Sequence, residues 1–145
     1  MSTAIGYVAK AIVRRPGGAC LLLVRSQTDL HRPGDFDLPG GGVETDERFE
    51  EAVLRELTEE TGLVPSGRPV LLRADTMHYE ADHLDSQPRD VVRFLYLVEV
   101  TDDAVIISDE HEGYEWTEMP DLSAKLSHTR WGEMLTAAAK TDYFV

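Results

Sequence analysis

Hydrophobic residues in the first part of the chain form two short runs separated by turn residues. The stretches "AIGYVAKAIV" (4–13) and "ACLLLVR" (19–25) are rich in Ala, Val, Ile and Leu, a composition that indicates β-strands. Between them, "RRPGG" (14–18) combines proline with a glycine pair, which is typical of a turn. We therefore predict that the chain opens with a β-hairpin.

Further along the chain, the same criteria separate strands from loops. We predict strands at 69–80, 91–100 and 104–108 and a short strand at 113–119, with loops at 26–37 and 81–90 and a glycine-rich turn at 38–44. A short helix opening at Pro120 and an amphipathic helix at 129–139 follow. These elements predict an α/β fold, and the short connections favour a mixed sheet over a doubly wound one.

The best-bounded element is a helix predicted over residues 46–61. Thr45 is a suitable N-cap, because its hydroxyl can accept a hydrogen bond from a free backbone N–H of the first turn. Gly62 stands where a left-handed residue ends a helix, Leu63 supplies the hydrophobic contact that follows, and Pro65 blocks continuation. Local chemistry thus predicts both ends of this helix.

The polar residues of this helix depart from the usual pattern. Its apolar stripe comprises Phe49, Ala52, Val53 and Leu57. At 3.6 residues per turn, Glu56 and Glu60 fall within about 20° of Phe49, and Glu59 lies on the flank of the stripe. A solvated helix carries its acids opposite the apolar face. Here the second half of the core-directed face is acidic.

Two explanations of these three glutamates are open. They can belong to a surface helix end with excess glutamate, or they can bind a cation. Clustered carboxylates near a core repel each other and lose hydration, and Arg55 alone does not balance three acids. A divalent ion would balance their negative charge. Mg²⁺ is the common choice beside phosphates, and Mn²⁺ is the other candidate. The preceding "PGGG" (39–42) favours the cation, since glycines let backbone groups approach a ligand.

Composition and charge limit the class of protein. The 145 residues predict a single domain over 1–145, and 42% hydrophobic content is ordinary for a globular fold. The net charge of −13 disfavours a nucleic acid polymer as partner but admits a small anionic substrate when a bound cation inverts the local field. The one cysteine, Cys20, lies in an apolar run and is expected to be a buried strand residue.

The N-terminal stretch predicts a strand and not a signal peptide. No run approaches the roughly 18 apolar residues that a membrane helix needs. We therefore expect a cytoplasmic protein with no membrane partner.

Residues 41–63, "GGVETDERFEEAVLRELTEETGL", resemble the Nudix box, G-x5-E-x7-R-E-U-x-E-E-x-G-U, in which U is a bulky aliphatic residue. The specified positions are filled by Gly41, Glu47, Arg55, Glu56, Leu57, Glu59, Glu60, Gly62 and Leu63. The resemblance implies a Nudix fold, an α/β/α sandwich with a mixed sheet. It also implies hydrolysis of a nucleoside diphosphate linked to another group X.

The resemblance further implies roles for individual residues. The metal ligands would be Glu56, Glu59, Glu60 and the carbonyl of Gly40, and the supporting positions would be Gly41, Glu47 and Gly62. Glu59 is alternatively the general base, Arg55 would orient the glutamates, and Glu47 would support the helix start or bind metal. Family members often take the base from a later loop. In "SDEHEGYEW" (108–116), Glu110 is the first candidate, and His111 and Glu112 are the alternatives.

The box does not identify X. Arg25 is a candidate for a phosphate contact or a rim residue, and Phe36 for stacking on a base or for core packing. Tyr79 lies near a position that is associated with substrate choice in the family. A tyrosine near that position is associated with diadenosine polyphosphates, and a proline there is associated with ADP-ribose.

These considerations lead to one expected function and its alternatives. We expect Mg²⁺-dependent hydrolysis of a pyrophosphate linkage in a small nucleotide, including nucleoside triphosphates. A dinucleoside polyphosphate or a nucleotide sugar such as ADP-ribose is the alternative substrate, and a non-catalytic nucleotide-sensing domain is the third reading. Whether the protein is a homodimer is open: members of the family are often dimers, but no residue of this sequence marks an interface.

Overall fold

The computed structural model describes residues 4–81 and 87–138 of the chain. The strands are β1 (Ala4–Arg14), β2 (Cys20–Arg25), β3 (Phe36–Asp37), β4 (Gly40–Gly42), β5 (Val70–Tyr79), β6 (Arg89–Glu99) and β7 (His111–Thr117). The helices are α1 (Phe49–Thr61), α2 (Leu122–Lys125), which follows a 3₁₀ turn at Met119–Asp121, and α3 (Arg130–Ala138). Part of the predicted loop 81–90 and the last residue of the predicted helix 129–139 lie outside the described residues.

The strands form one mixed sheet with the order β3-β2-β1-β6-β5, in which β4 also pairs with β1 and β7 with β2. β1 and β6 run parallel along their whole length, from Ala4↔Arg89 to Arg14↔Glu99. The remaining pairings of named strands are antiparallel. The expected α/β fold with a mixed sheet is therefore confirmed.

Alternation along the central strands divides the core into two halves. Ile12 and Leu95 lie in a buried cluster with residues of α2 and α3, whereas Val13 and Tyr96 lie in a second cluster with residues of α1. Successive side chains of a strand point to opposite faces, so the same two strands supply both halves. The sheet is thus covered by helices on both faces, which is the α/β/α sandwich.

The predicted hairpin of β1 and β2 is paired next to its turn, through Arg14↔Cys20. Further from the turn, β1 pairs with β4 at Lys10↔Gly40, and β2 pairs with β3 at Leu23↔Asp37. The predicted loop 26–37 and the glycine-rich turn 38–44 therefore contain two short strands. Their pairing brings the glycine segment against β1.

The start of α1 differs from the prediction. The helix begins at Phe49, its N-cap is Arg48, and no side chain caps it, so the assignment of Thr45 as N-cap was wrong. A turn precedes the helix, because Asp46 has a positive φ of 64° and the Glu44 N–H donates to Oε1 of Glu47 at 3.0 Å. The other end agrees with the prediction. Gly62 has a φ of 69°, and its N–H donates to the carbonyl of Thr58.

The predicted strand at 104–108 was also wrong. This segment pairs with no strand in the described part of the chain, and two of its N–H groups donate to the last carbonyls of α1, from Ile106 to Thr61 at 2.9 Å and from Ser108 to Glu60 at 3.3 Å. Val105 and Ile107 pack against the α1 side of the core, whereas Ile106 is 77% exposed. The side chains therefore alternate between core and solvent as in a strand, but the backbone bonds to the end of a helix and not to a sheet.

Among residues 4–81 and 87–138, no helix is long and apolar enough to cross a membrane. Cys20 is fully buried, as expected, and burial raises the pKa of its thiol to about 12.

Candidate metal and active site

A cleft of about 570 Å³ brings the acidic half of α1 together with the glycine segment and the turn before β7. The residues from β1 and β2 are Val8, Lys10 and Arg25, those of the glycine segment are Gly40, Gly41 and Gly42, and those of α1 are Glu56 and Glu60. The turn contributes Asp109 and Glu110, and the first residue of β7 contributes His111. Three of the predicted ligand residues, Gly40, Glu56 and Glu60, thus line one cleft with the downstream candidate Glu110.

Glu60 is the buried acid of this cleft, with 5% of its surface exposed. Its Oε1 accepts a hydrogen bond of 2.8 Å from the backbone N–H of Gly40. Burial raises the pKa of Glu60 to about 8, against the opposing effects of the Gly40 hydrogen bond and of Lys10. A buried carboxyl held in this way binds a cation readily, because the cation replaces the missing hydration.

The glycines are required by space as well as by conformation. Gly40 has a φ of 137°, and a Cβ there would lie 2.3 Å from the carbonyl oxygen of Ala9. A Cβ on Gly41 would lie 2.8 Å from Oε1 of Glu56. The absence of side chains therefore lets the glycine segment lie directly against β1 and the α1 carboxylates.

Arg55 holds the acidic end of α1 together. Its guanidinium donates to both carboxylate oxygens of Glu47, at 2.7 and 3.0 Å, and to the carbonyl of Gly42 at 3.1 Å. It also donates to Glu56 at 3.2 Å and to Glu59 at 3.4 Å. The hydrogen bonds with Glu47 raise the pKa of Arg55 further, so it is a permanent cation in this network.

The three helix glutamates have different surroundings. Burial raises the pKa of Glu56, and Arg55 opposes that shift. The Glu59 side chain is 59% exposed and does not line the cleft. Glu60 is the deepest of the three. Of the predicted ligands, Glu56 and Glu60 therefore lie at the cleft and Glu59 beside it, as the helix periodicity predicts.

A group of potential ligand atoms forms around Glu60. Carboxylate oxygens of Glu60 and Glu110 and a ring nitrogen of His111 all lie within 4.8 Å of one another. His111 is 9% exposed, and burial lowers the pKa of its imidazole, so the neutral form that binds metals is favoured. These residues fit a divalent cation, since they combine charged oxygens with a buried nitrogen. Glu112, the other alternative, hydrogen-bonds to Gln27 at the surface.

A buried ion network lies beside the acids and was not predicted. Nζ of Lys10 donates to both oxygens of Asp37, at 2.8 and 2.9 Å, and Arg25 donates to Asp37 at 2.7 Å and to Asp29 at 2.6 Å. Burial opposes ionisation of Asp37, but Lys10, Arg32 and Arg25 outweigh it and lower its pKa. The sequence signal was a lysine that interrupts the apolar run at 4–13.

The three substrate candidates have separate positions. Arg25 lines the cleft, but its guanidinium is bound to Asp29 and Asp37. Phe36 packs against the α2 and α3 side of the core, which favours core packing over base stacking. Tyr79 lines a second cleft of about 600 Å³, which also contains Arg25, Arg130 and Trp131. The two clefts are therefore adjacent at Arg25.

Comparison with known proteins identifies the class, because the matching relatives carry the names of hydrolases that act on acid anhydrides. The chain belongs to the NUDIX domain family, whose model matches residues 5–138. The nucleoside triphosphatase NudI of Escherichia coli O139:H28 is 33% identical over 113 residues, which are 72% of this chain and 77% of that protein.

Two further proteins illustrate the range of the family. The ADP-ribose pyrophosphatase of Methanocaldococcus jannaschii is 47% identical over 51 residues, which are 35% of this chain but 30% of that protein. The crystal structure of a MutT protein from Methanosarcina mazei superimposes with a TM-score of 0.71 at 26% identity, covering 97% of this chain and 99% of the other. This chain thus spans less than a third of one relative and about three quarters of another.

Proposed function

We propose that the protein hydrolyses a pyrophosphate linkage in a small nucleotide, with a nucleoside triphosphate as the first candidate substrate and Mg²⁺ or Mn²⁺ as the cofactor. The observation that carries the proposal is the buried Glu60, held by the Gly40 amide and facing Glu110 and His111 within 4.8 Å. The name of NudI, which matches over most of its length, favours a triphosphate.

In this proposal the cation is held by Glu60 and Glu56, with the carbonyl of Gly40 as a further ligand. When bound, the cation neutralises phosphate charge and makes a bound water acidic enough to attack phosphorus. Glu110, exposed at the mouth of the cleft, accepts the proton of that water. Glu59 is the alternative base, although its side chain does not line the cleft.

Other residues of the cleft position the reactants. Arg55 keeps Glu56 oriented through its bonds with Glu47 and Gly42. Gly41 and Gly42 leave backbone exposed to the phosphates, because no side chain intervenes. The overall charge of −13 repels polyanions, so we expect a small substrate and no nucleic acid polymer. A cytoplasmic location remains an expectation.

The second cleft is proposed to hold the nucleoside or the group X. Its accessible aromatic ring is that of Tyr79, because Trp131 is 7% exposed. The guanidinium carbons of Arg130 and Arg89 lie 5.3 and 5.4 Å from the Tyr79 ring centroid. Aromatic rings stack on bases, and arginines bind phosphates. This combination supports a second candidate substrate, a dinucleoside polyphosphate, whose distal half would lie in this cleft.

A nucleotide panel with product identification tests the proposal. Nucleoside triphosphates, ADP-ribose and dinucleoside tetraphosphates are incubated with Mg²⁺ or Mn²⁺, and each product is identified by chromatography. Release of pyrophosphate and a nucleoside monophosphate supports the first candidate. Hydrolysis of dinucleoside polyphosphates above all others supports the second. Nucleotide binding without any hydrolysis would refute the enzyme and leave a sensing domain.

Matched variants connect the products to the site. Glu60→Gln should lower turnover on the order of 10²-fold or more, because loss of a ligand exceeds the effect of losing a supporting residue. Glu51→Gln changes an exposed acid of the same helix and should retain activity. Tyr79→Ala should raise KM for the preferred substrate, whereas Tyr114→Ala, an exposed tyrosine on β7, should not.

A further inference from the structure

His111 is a buried nitrogen donor in a site otherwise built from oxygens. We propose that His111 is a direct ligand of the cation at Glu60, and that the site therefore prefers Mn²⁺ or another transition metal ion to Mg²⁺. The inference rests on the proposed function, because it specifies the ion of the same site. His111 would be a ligand from outside the Nudix box. Its nitrogen would make the site prefer one of the divalent ions that a site of carboxylates alone can bind.

The distances permit one ion between the two side chains. Nε2 of His111 lies 3.7 Å from Oε2 of Glu60, too far for a hydrogen bond. Metal bonds to nitrogen and carboxylate oxygen are each about 2.1 Å, so one ion can bridge atoms up to roughly 4.2 Å apart. A carboxylate oxygen of Glu110 lies within 4.8 Å of the same two side chains, which places the proposed general base beside the ion.

The hydrogen bonds of both side chains are incomplete. Oε1 of Glu60 is occupied by the Gly40 amide, which leaves Oε2 directed at His111. Nδ1 of His111 is buried and has no hydrogen-bond partner among the described residues. The two side chains are largely buried, with 5% of the His111 side chain and 6% of the Glu60 side chain exposed. The unpaired Nδ1 is not the ring atom that faces Glu60, so the support for a bound ion comes from Oε2 of Glu60 and Nε2 of His111, which face each other at 3.7 Å without a hydrogen bond.

His111 also has a fixed position. It is the first residue of β7, its Cα pairs with that of Arg25, and its N–H donates to the carbonyl of Ser108 at 3.2 Å. Ser108 in turn donates to the carbonyl of Glu60. The imidazole is therefore connected to the end of α1 by the backbone, and a metal ligand needs such a defined position.

The nearest cation does not prevent metal binding. Lys10 lines the same cleft, but its Nζ is bound to both oxygens of Asp37 and to the carbonyl of Leu38. A protonated His111 paired with Glu60 is the competing arrangement, and it needs no metal. The two arrangements differ in whether a bound ion has a nitrogen in its first coordination shell.

A nitrogen ligand has a predictable effect on ion choice. Mg²⁺ prefers oxygen ligands and retains water, whereas imidazole suits the transition metal ions. A site with His111 as ligand should thus bind Mn²⁺ more tightly than Mg²⁺ by a margin that the carboxylates alone do not provide. Replacement of the imidazole should reduce that margin while leaving the carboxylates in place.

Pulsed electron paramagnetic resonance on Mn²⁺ tests the proposal without any substrate. The full chain is loaded with Mn²⁺, and electron spin echo modulation from a directly bound ¹⁴N is recorded. We expect this modulation in the wild type and in His78→Gln, which changes an exposed histidine paired with Asp90 and Glu80. We expect its loss in His111→Gln and His111→Asn. Competition with Mg²⁺ should show a loss of roughly 10-fold or more in Mn²⁺ preference in both variants.

The outcomes separate this inference from the proposed function. Mn²⁺ bound to the wild type without nitrogen modulation would overturn the role of His111, even if the enzyme hydrolyses nucleotides. Modulation that persists in both His111 variants would overturn it as well. Modulation in the wild type together with no hydrolysis across the nucleotide panel would support His111 and refute the proposed function. The wild-type spectrum is decisive even if a variant fails to fold.

Discussion

The backbone N–H of Gly40 donates to Oε1 of Glu60 at 2.8 Å, and this bond joins the glycine segment to the acidic end of α1. Gly40 pairs with Lys10 of β1 and has a φ of 137°. It lies so close to β1 that a Cβ at this position would clash with the carbonyl oxygen of Ala9. One residue thus sets the distance between the sheet and the acid. The site depends on a backbone position that no other residue type can occupy without strain.

Gly40→Ala should therefore destabilise the fold and displace Glu60. The new Cβ would lie 2.3 Å from the Ala9 oxygen and 2.5 Å from the Lys10 Cα, and both are backbone atoms that cannot turn aside. We expect a loss of about 2–4 kcal/mol in the free energy of unfolding, measured by urea denaturation. Gly42→Ala is the control, because its Cβ would have no atom within 4 Å. Equal stability of the two variants would contradict this account.

Glu60 should make the metal-free protein less stable as the pH rises. Its pKa is about 8 in the fold against an ordinary value of 4.5, so below pH 4.5 it is protonated in both states and imposes no penalty. Between these values the unfolded chain releases the proton and the folded chain retains it, so stability falls until about pH 8. The total effect is roughly 3–5 kcal/mol.

The comparison with Glu60→Gln isolates this effect. The amide keeps an acceptor for the Gly40 amide but does not titrate, so the variant should lack the decline seen in the wild type. His111 is present in both proteins, and its lowered pKa acts in the opposite direction, because it makes stability rise with pH. Mg²⁺ or Mn²⁺ should reduce the decline in the wild type alone, because the ion stabilises the ionised carboxylate. Parallel pH profiles of the two proteins would show that Glu60 is not the titrating group.

The helix and its acids could be predicted because their determinants are local. The spacing of Glu56 and Glu60 on the apolar stripe is a property of one helix, and Gly62 ends that helix by its own conformation. The start of α1 was misjudged because Glu47, predicted inside the helix, instead hydrogen-bonds to Arg55 and to the Glu44 N–H. These side-chain hydrogen bonds of Glu47 outweighed its preference for the first turn of a helix.

Other features depend on residues that are distant in sequence. Lys10 and Asp37 are 27 positions apart, and only the pairing of the strands brings them together. His111 meets Glu60 because the segment after β6 crosses the end of α1, a path that periodicity cannot reveal. The same path explains why the pattern of 104–108 resembled a strand. Its apolar side chains face the core, but its backbone partners are helix carbonyls.

Arg55→Lys should impair catalysis more than stability. Arginine binds Glu47, Glu56 and the Gly42 carbonyl at once through its planar fork, and the lysine ammonium cannot reproduce this geometry. We expect kcat to fall roughly 10- to 100-fold, as for a residue that orients metal ligands. Arg48→Lys, an 89% exposed arginine with a single distant contact to Glu51, should leave kcat unchanged. A change confined to the melting temperature would indicate a structural role.

Asp37→Asn should be among the most destabilising polar substitutions. Asp37 is 3% exposed and pairs with both Lys10 and Arg25, so its loss leaves the buried Lys10 without a carboxylate partner and Arg25 with Asp29 alone. Breaking such a pair costs about 3–5 kcal/mol. Asp103→Asn removes an exposed acid that contacts Arg15 at 3.3 Å and should change stability by less than about 0.5 kcal/mol.

The acid side of the stability curve tests the same network. The pKa of Asp37 is lowered in the fold, so its stabilising effect is present above the ordinary value of 3.8 and is lost as the pH falls below it. The wild type should therefore lose stability on acidification, and Asp37→Asn should lose less over the same range. Denaturation of each protein at pH 7 and at pH 3 gives its free energy of unfolding at both values and therefore its loss of stability on acidification. A variant that remains as stable as the wild type at pH 7 would show that the network does not support the fold.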